Sequence, residues 1–176
     1  MKNINFVEYN EKNHAPLLTQ WLYDESLLDN SNRFIKFGLI DDAENIVDLL
    51  RRYNDESTEL EVTKRFVIFD KYQKDIAVVV LNWCDYRDIS TKILSLFHII
   101  VRPSEQRKSY GSEILRQIIQ NGEDLINRPY DEICSSVNKQ NIPSQKLMQN
   151  LGFFELCEDG EYKIYSLNQR DRSLDE

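Results

Sequence analysis

The sequence predicts an α+β fold, and three observations carry that prediction. Helical periodicity comes early, a run of β-type segments follows, and strand-like and helical segments then alternate to the end. With 176 residues, 41% of them hydrophobic and 30% charged, the chain is long enough to bury one substantial core. Residues 1–176 therefore read as a single domain.

The elements follow in order. INFVEYN, residues 4–10, reads as a short strand. Ala15, Leu18, Trp21 and Leu22 recur at helical spacing, which predicts a helix over 13–23. Ala43, Ile46, Val47 and Leu50 mark a second helix, with Asp41 or Asp42 at its N-cap. The charged stretch 54–63 reads as a loop. RFVIFD (65–70), a turn at KYQKD and IAVVVLNW (76–83) form a hairpin. KILSLFHIIV (92–101) is apolar at both parities, which predicts a strand covered on both faces. Ile114, Leu115, Ile118, Ile119 and Leu125 trace a helical stripe that starts near Gly111. Residues 131–137 form another strand and 144–150 a short helix. GFFELCE and EYKIYSL close the chain as two strands around a turn at Asp159-Gly160.

Composition narrows the partners. Twenty-two basic against 30 acidic residues give a net charge of −8, which speaks against a nucleic-acid partner. The same balance suits either a cationic small substrate or an ordinary solvated surface. No apolar run reaches the ~20 residues of a membrane span, so no membrane partner is expected. The N-terminal residues lack the apolar segment of a secretory signal. Cys84, Cys134 and Cys157 form no C-x-x-C pair, so neither a disulfide framework nor a metal site is expected, and a cytoplasmic location fits.

One loop concentrates chemistry. VRPSEQRKSYGSEIL, residues 101–115, links the third strand of the meander to the long helix and holds Gly111. A helix start presents unpaired N–H groups and partial positive charge, so an anion can sit there. Ser109, Gly111 and Ser112 are small enough for close approach. Arg107 and Lys108 add charge, and Gln106 adds an amide donor. The loop is either a phosphate cradle or an ordinary strand-to-helix turn carrying solvated basic residues.

Two motifs in register decide between these. Val101 followed by Gln106, Arg107, Lys108, Ser109, Tyr110 and Gly111 resembles the cofactor signature of the GNAT superfamily of acetyl-CoA-dependent N-acetyltransferases. Val137, Asn141, Ser144, Leu147, Met148, Gly152 and Phe153 match a second element of that family. The resemblance covers about residues 65–167. It implies a GNAT fold: a central, mostly antiparallel twisted sheet of about seven strands flanked by about four helices. It also implies acetyl-CoA as cofactor and a small-molecule or peptide amine as acceptor, and it leaves room for a homodimer. Carried over by position, backbone groups of Ile99, Ile100 and Val101 would pair with the pantetheine arm. Amides from Arg107, Lys108, Ser109, Tyr110, Gly111 and Ser112 would hold the diphosphate, assisted by Gln106. Asn141 would contact the pantetheine, and Ser144 would lie beside it.

The sequence departs from that pattern at three places. Ser109 stands where the family has its first glycine, which is costly if the position needs positive φ. Met148 replaces the tyrosine that protonates the leaving thiolate. Ser95 replaces the glutamate base on the third meander strand. His98 is the candidate base in that strand, although alternation puts it on the face opposite Ser95, where a satisfied core histidine is the better reading. His14 and Glu105 read as solvated, and Tyr110 as packing within the loop. The stretch 26–42 is expected to shape the acceptor pocket, with Tyr23, Phe34 and Phe37 lining it or filling core, and Asp29, Asp41 or Asp42 meeting a cation. A non-catalytic acyl-CoA-binding or interaction module is the alternative reading of the chain.

Overall fold

A mixed seven-stranded sheet organises the computed structural model, which describes residues 2–23, 46–53 and 57–168. Its strands are β1 (Ile4–Glu8), β2 (Glu61–Asp70), β3 (Asp75–Tyr86), β4 (Thr91–Val101), β5 (Glu132–Asn138), β6 (Phe154–Asp159) and β7 (Tyr162–Asn168). They lie in the order β1-β2-β3-β4-β5-β7-β6. The described helices are α1 (Glu11–Thr19), α2 (Ile46–Arg52), α3 (Tyr110–Ile126) and α4 (Ile142–Asn150). The α+β prediction and the GNAT-type element order hold. The expected N-cap of α2 at Asp41 or Asp42 lies outside the described residues.

The chain divides into two compact units. The first takes in residues 1–55, 64–80 and 98–114. Its core joins Leu18 and Trp21 to Ile46, Leu49 and Leu50 of α2, Val67 and Phe69 of β2, Val78 and Val80 of β3, and Ile100 of β4. Burying each large aliphatic side chain contributes about 1.5–3 kcal/mol, so this one patch offsets much of the ordering entropy of two short helices. Asn10 caps α1, its Oδ1 accepting from Asn13 N–H at 3.2 Å. His14 on this helix is buried rather than solvated: its Nδ1 accepts from Asn10 N–H at 2.9 Å, and its ring packs near Tyr9 and Phe69. Burial accordingly lowers its pKa.

The second unit takes in residues 56–63, 81–97 and 115–176. Here β2 begins earlier than the charged stretch suggested. Thr58 Oγ1 accepts from the N–H groups of Leu60 and Glu61, and this hydroxyl-stabilised turn delivers the chain into the strand at Glu61. Asn82 of β3 then donates to both Glu61 and Thr63. β5 runs parallel to β4 through Ile93–Ser95 against Glu132–Cys134, and antiparallel to β7 along its whole length. Inside α3, Gly122 lies against Leu94 and the buried Tyr130, whose hydroxyl occupies the space a side chain would need. Asn121, one residue earlier, leaves helical geometry at φ −124° and kinks the helix.

The expectation that β4 is covered on both faces needs correction. Leu94, Leu96 and Ile100 are buried, but Ile93, Ser95, Ile99 and Val101 are only half-buried and Phe97 is 42% exposed. β3, by contrast, is buried without a break from Ile76 to Trp83. One face of β4 is therefore open, a property of its neighbours that its own composition does not encode.

Candidate functional site

The junction between β4 and α3 belongs to the first unit and holds most of the residues singled out from the sequence. Arg102 N–H donates to Ile76 O at 2.8 Å, tying the loop's first residue to β3. Asp75 receives the Trp21 indole N–H and lies 3.3 Å from Arg102 Nη1, so a largely buried ion pair anchors the same point. A single 3-10 turn follows at Pro103–Glu105. Gln106 Nε2 then reaches back to Val101 O at 3.1 Å and closes the loop.

Next come two left-handed residues that are not glycine: Arg107 at φ 60° and Ser109 at φ 64°. Each such conformation costs a side-chain-bearing residue on the order of 1 kcal/mol. The position where the motif usually has glycine thus does need positive φ, and Ser109 bears the strain. Gly111 lies inside the first turn of α3 with helical geometry, so its value is the absence of a side chain. The first bond of the helix is Glu113 N–H to Ser109 O at 3.2 Å. The N–H groups of Tyr110, Gly111 and Ser112 precede that ladder and have no partner within it.

Charge is arranged around this start. Arg107, Lys108 and Ser109 are exposed, while Tyr110, Gly111 and Ser112 are half-buried. Tyr110 packs under Lys2, whose Nζ stands 3.6 Å from the ring centroid. Glu105 is buried and not solvated as expected: it accepts from Lys74 Nζ at 2.5 Å and Lys108 Nζ at 3.1 Å. Burial works against its ionisation, but the two ammonium groups outweigh that and hold the carboxyl below its ordinary range. Lys108 is therefore partly neutralised, and Arg107 is the more available cation for an anion at the helix start.

His98 sits in the same unit, paired with α2's end. Its Nε2 lies 2.8 Å from Tyr53 OH, the rings meet edge to face, and burial lowers its pKa to about 4. The imidazole is neutral at physiological pH. Asn141 and Ser144 belong to the second unit, where Asn141 Oδ1 caps α4 by accepting from Ser144 N–H at 3.3 Å. Met148 is buried in that helix. The stretch 26–42, with Asp29, Phe34, Phe37, Asp41 and Asp42, lies outside the described residues, as does the side chain of Tyr23.

The model of the acetyltransferase (GNAT) domain family matches residues 4–154. None of the curated proteins compared matches the sequence. Among solved structures, spermidine N-acetyltransferase from Vibrio cholerae in complex with CoA and spermine is 16% identical, with 96% of each chain covered and a TM-score of 0.64. An acetyltransferase from Thermus thermophilus is 19% identical over 96% of this chain and 99% of its own, at a TM-score of 0.65. The N-acetyltransferase PseH from Campylobacter jejuni, in complex with acetyl coenzyme A, is 18% identical over 94% and 99%, at 0.57. At these identities the likeness is one of fold.

Proposed function

Because the chain belongs to the acetyltransferase (GNAT) domain family, we propose that it moves an acetyl group from acetyl-CoA to a primary amine by direct attack in a ternary complex. The observation that carries the reading is the start of α3: three amides ahead of the helix ladder, behind left-handed Arg107 and Ser109. N–H donors backed by a helix dipole and an exposed guanidinium suit a diphosphate, so the residues present fit the cofactor. The N–H groups of Tyr110, Gly111 and Ser112 would hold that diphosphate with Arg107. Backbone groups of Ile99, Ile100 and Val101, beyond the Ile93–Ser95 stretch of β4 that is registered with β5, would take the pantetheine. Gln106 acts one step back, fixing the loop through Val101 O. When bound, acetyl-CoA supplies the activated thioester.

The acceptor reading is a small amine, supported by the polyamine that accompanies CoA in the Vibrio cholerae structure and by the net charge of −8. A lysine-like amine costs roughly 4–5 kcal/mol to deprotonate at pH 7, whereas one with a pKa near ~8 costs about 1.4 kcal/mol. The free thiols of Cys84, Cys134 and Cys157 accord with work in a reducing cytoplasm.

Calorimetric titration with acetyl-CoA, followed by a panel of primary amines monitored by thiol release, tests the reading. Binding with turnover of at least one amine is expected. No binding at millimolar acetyl-CoA refutes the enzyme. Binding without turnover favours a non-catalytic acyl-CoA module, the reading that Ser95 and the buried Met148 support.

A further inference from the structure

Resting on the acetyltransferase reading, we propose that Lys74 and Asp75, where the β2–β3 turn enters β3, are positioning residues of the cofactor loop. They clasp it at Glu105 and Arg102 and so fix the start of α3 for a diphosphate. The argument lies wholly within the first unit. It begins with strain: left-handed Arg107 and Ser109 stand just ahead of the first bond of α3. Such conformations persist only where the surroundings over-determine the backbone. The residues before them must therefore be held.

Three consecutive residues do the holding. Lys74 Nζ donates to Glu105 Oε1 at 2.5 Å, Arg102 Nη1 reaches the two oxygens of Asp75 at 3.3 and 3.4 Å, and Arg102 N–H donates to Ile76 O at 2.8 Å. Arg102 and Glu105 are the two ends of one turn, since Glu105 N–H donates to Arg102 O at 2.8 Å. The charges alternate, so exchanging the two side-chain contacts would set like against like. One register is thereby selected.

The clasp is itself stiff. Asp70 Oδ1 accepts from Tyr72 N–H at 2.9 Å and from Lys74 N–H at 3.0 Å, and Asp70 N–H donates to Lys74 O at 2.9 Å. From the other side, the indole N–H of fully buried Trp21 donates to Asp75 Oδ2. The Arg102 and Asp75 side chains are 18% and 13% exposed, so theirs is a largely buried pair. Such a pair is often no more stable than apolar residues of the same size, and here it dictates one arrangement of the loop.

Positioning and plain electrostatics make opposite predictions at Asp75. By charge alone, removing a carboxylate from the neighbourhood of an anion site strengthens binding. As a clasp, removing it weakens binding, because the loop must then be ordered when the cofactor arrives. Calorimetric titration of the full chain with acetyl-CoA reads the sign. Asp75→Asn keeps an acceptor for the Trp21 indole and loses the charge facing Arg102, and its affinity should fall about tenfold. Where an amine is turned over, the loss should fall on the KM for acetyl-CoA and not on kcat.

Lys74→Met should weaken binding several-fold and Lys74→Arg should restore it. Lys71→Met is the control: it removes the same charge from the same turn, but the Lys71 ammonium stands 4.8 Å from the Tyr72 ring centroid. An equal loss in Lys71→Met and Lys74→Met would reduce the role of Lys74 to charge and overturn its part. If Asp75→Asn proves unstable, Glu105→Gln carries the same test, since it also removes a negative charge while loosening the clasp. Affinity unchanged or raised in these carboxylate variants, whatever their thermal midpoints, overturns the clasp and leaves the enzyme reading standing. A wild-type chain that binds no acetyl-CoA overturns both.

Discussion

Two of the described connections from a strand into a helix, β5–α4 and β4–α3, finish in opposite ways. At the β5–α4 junction the helix closes its own start: Asn141 Oδ1 accepts from Ser144 N–H, Pro143 brings no N–H, and the far end turns on Gly152 at φ 88° with Phe153 N–H bonded to Met148 O. At the β4–α3 junction, strain sits on Arg107 and Ser109, and three amides lie ahead of the ladder. The first arrangement is what stability alone favours. The second retains conformations costing on the order of 1 kcal/mol each and keeps three N–H groups ahead of the helix ladder, an arrangement that a bound anion would complete.

The sharpest way to break this comparison is Gly111→Glu. Its φ is helical, and a carboxylate in the first turn suits the helix dipole, so the fold should survive. The same carboxylate would stand among the amides and repel a diphosphate. Affinity for acetyl-CoA should fall about a thousandfold, roughly 4 kcal/mol, in a calorimetric titration with an unchanged circular dichroism spectrum. Retained affinity would detach the cofactor from this helix start and leave the strain at Ser109 without a purpose.

A second effect, about 3 kcal/mol, sharpens the contrast by showing what a satisfied interior does under acid. His98 is held neutral, with a folded pKa of about 4 against 6.5 when exposed. Between those values the unfolded chain binds the extra proton, so stability is complete above pH 6.5 and declines as pH falls toward 4. Thermal midpoints should drop over that window and do so less in His98→Gln, which keeps an amide for Tyr53 but cannot titrate. An identical pH dependence in the two proteins would mean that His98 is not the responsible group. At the β5–α4 junction, Asn141→Ala should remove about 1 kcal/mol by denaturant midpoint, with Asn141→Ser restoring most of it. No loss would mean that α4 does not depend on its own cap.

The strands and helices were legible because periodicity is a local property. The stripe through Ile114, Leu115 and Ile118 and the hairpin around Lys71–Gln73 needed no distant information. Contacts made across sequence were not legible. β3 and β4 are almost equally apolar, yet only β4 has an open face, because cover is decided by which elements flank a strand. Glu105 read as solvated since Lys74, its partner, is 31 residues away. His14 read as exposed because nothing in its helix announces Phe69. At the β4–α3 loop the motif raised the question of positive φ at Ser109, and only the backbone answers it. The Ser166–Glu132 hydrogen bond was not legible, because the two residues are 34 positions apart and meet only through the register of β5 with β7.

The smallest effect tests whether the strain is tolerated or required. Ser109→Gly removes the side-chain penalty at φ 64° but adds freedom to the unfolded chain. The two oppose each other, so a net gain of about 0.5 kcal/mol is expected, seen as a small rise in denaturant midpoint. Ser109→Val, unable to adopt that conformation comfortably, should lose about 1–2 kcal/mol instead. Affinity separates the two explanations. If serine is only a substitute for glycine, Ser109→Gly binds acetyl-CoA at least as tightly as the parent protein. If the hydroxyl itself contacts the diphosphate, the glycine variant gains stability and loses affinity together, and the strain is then the cost of a ligand contact.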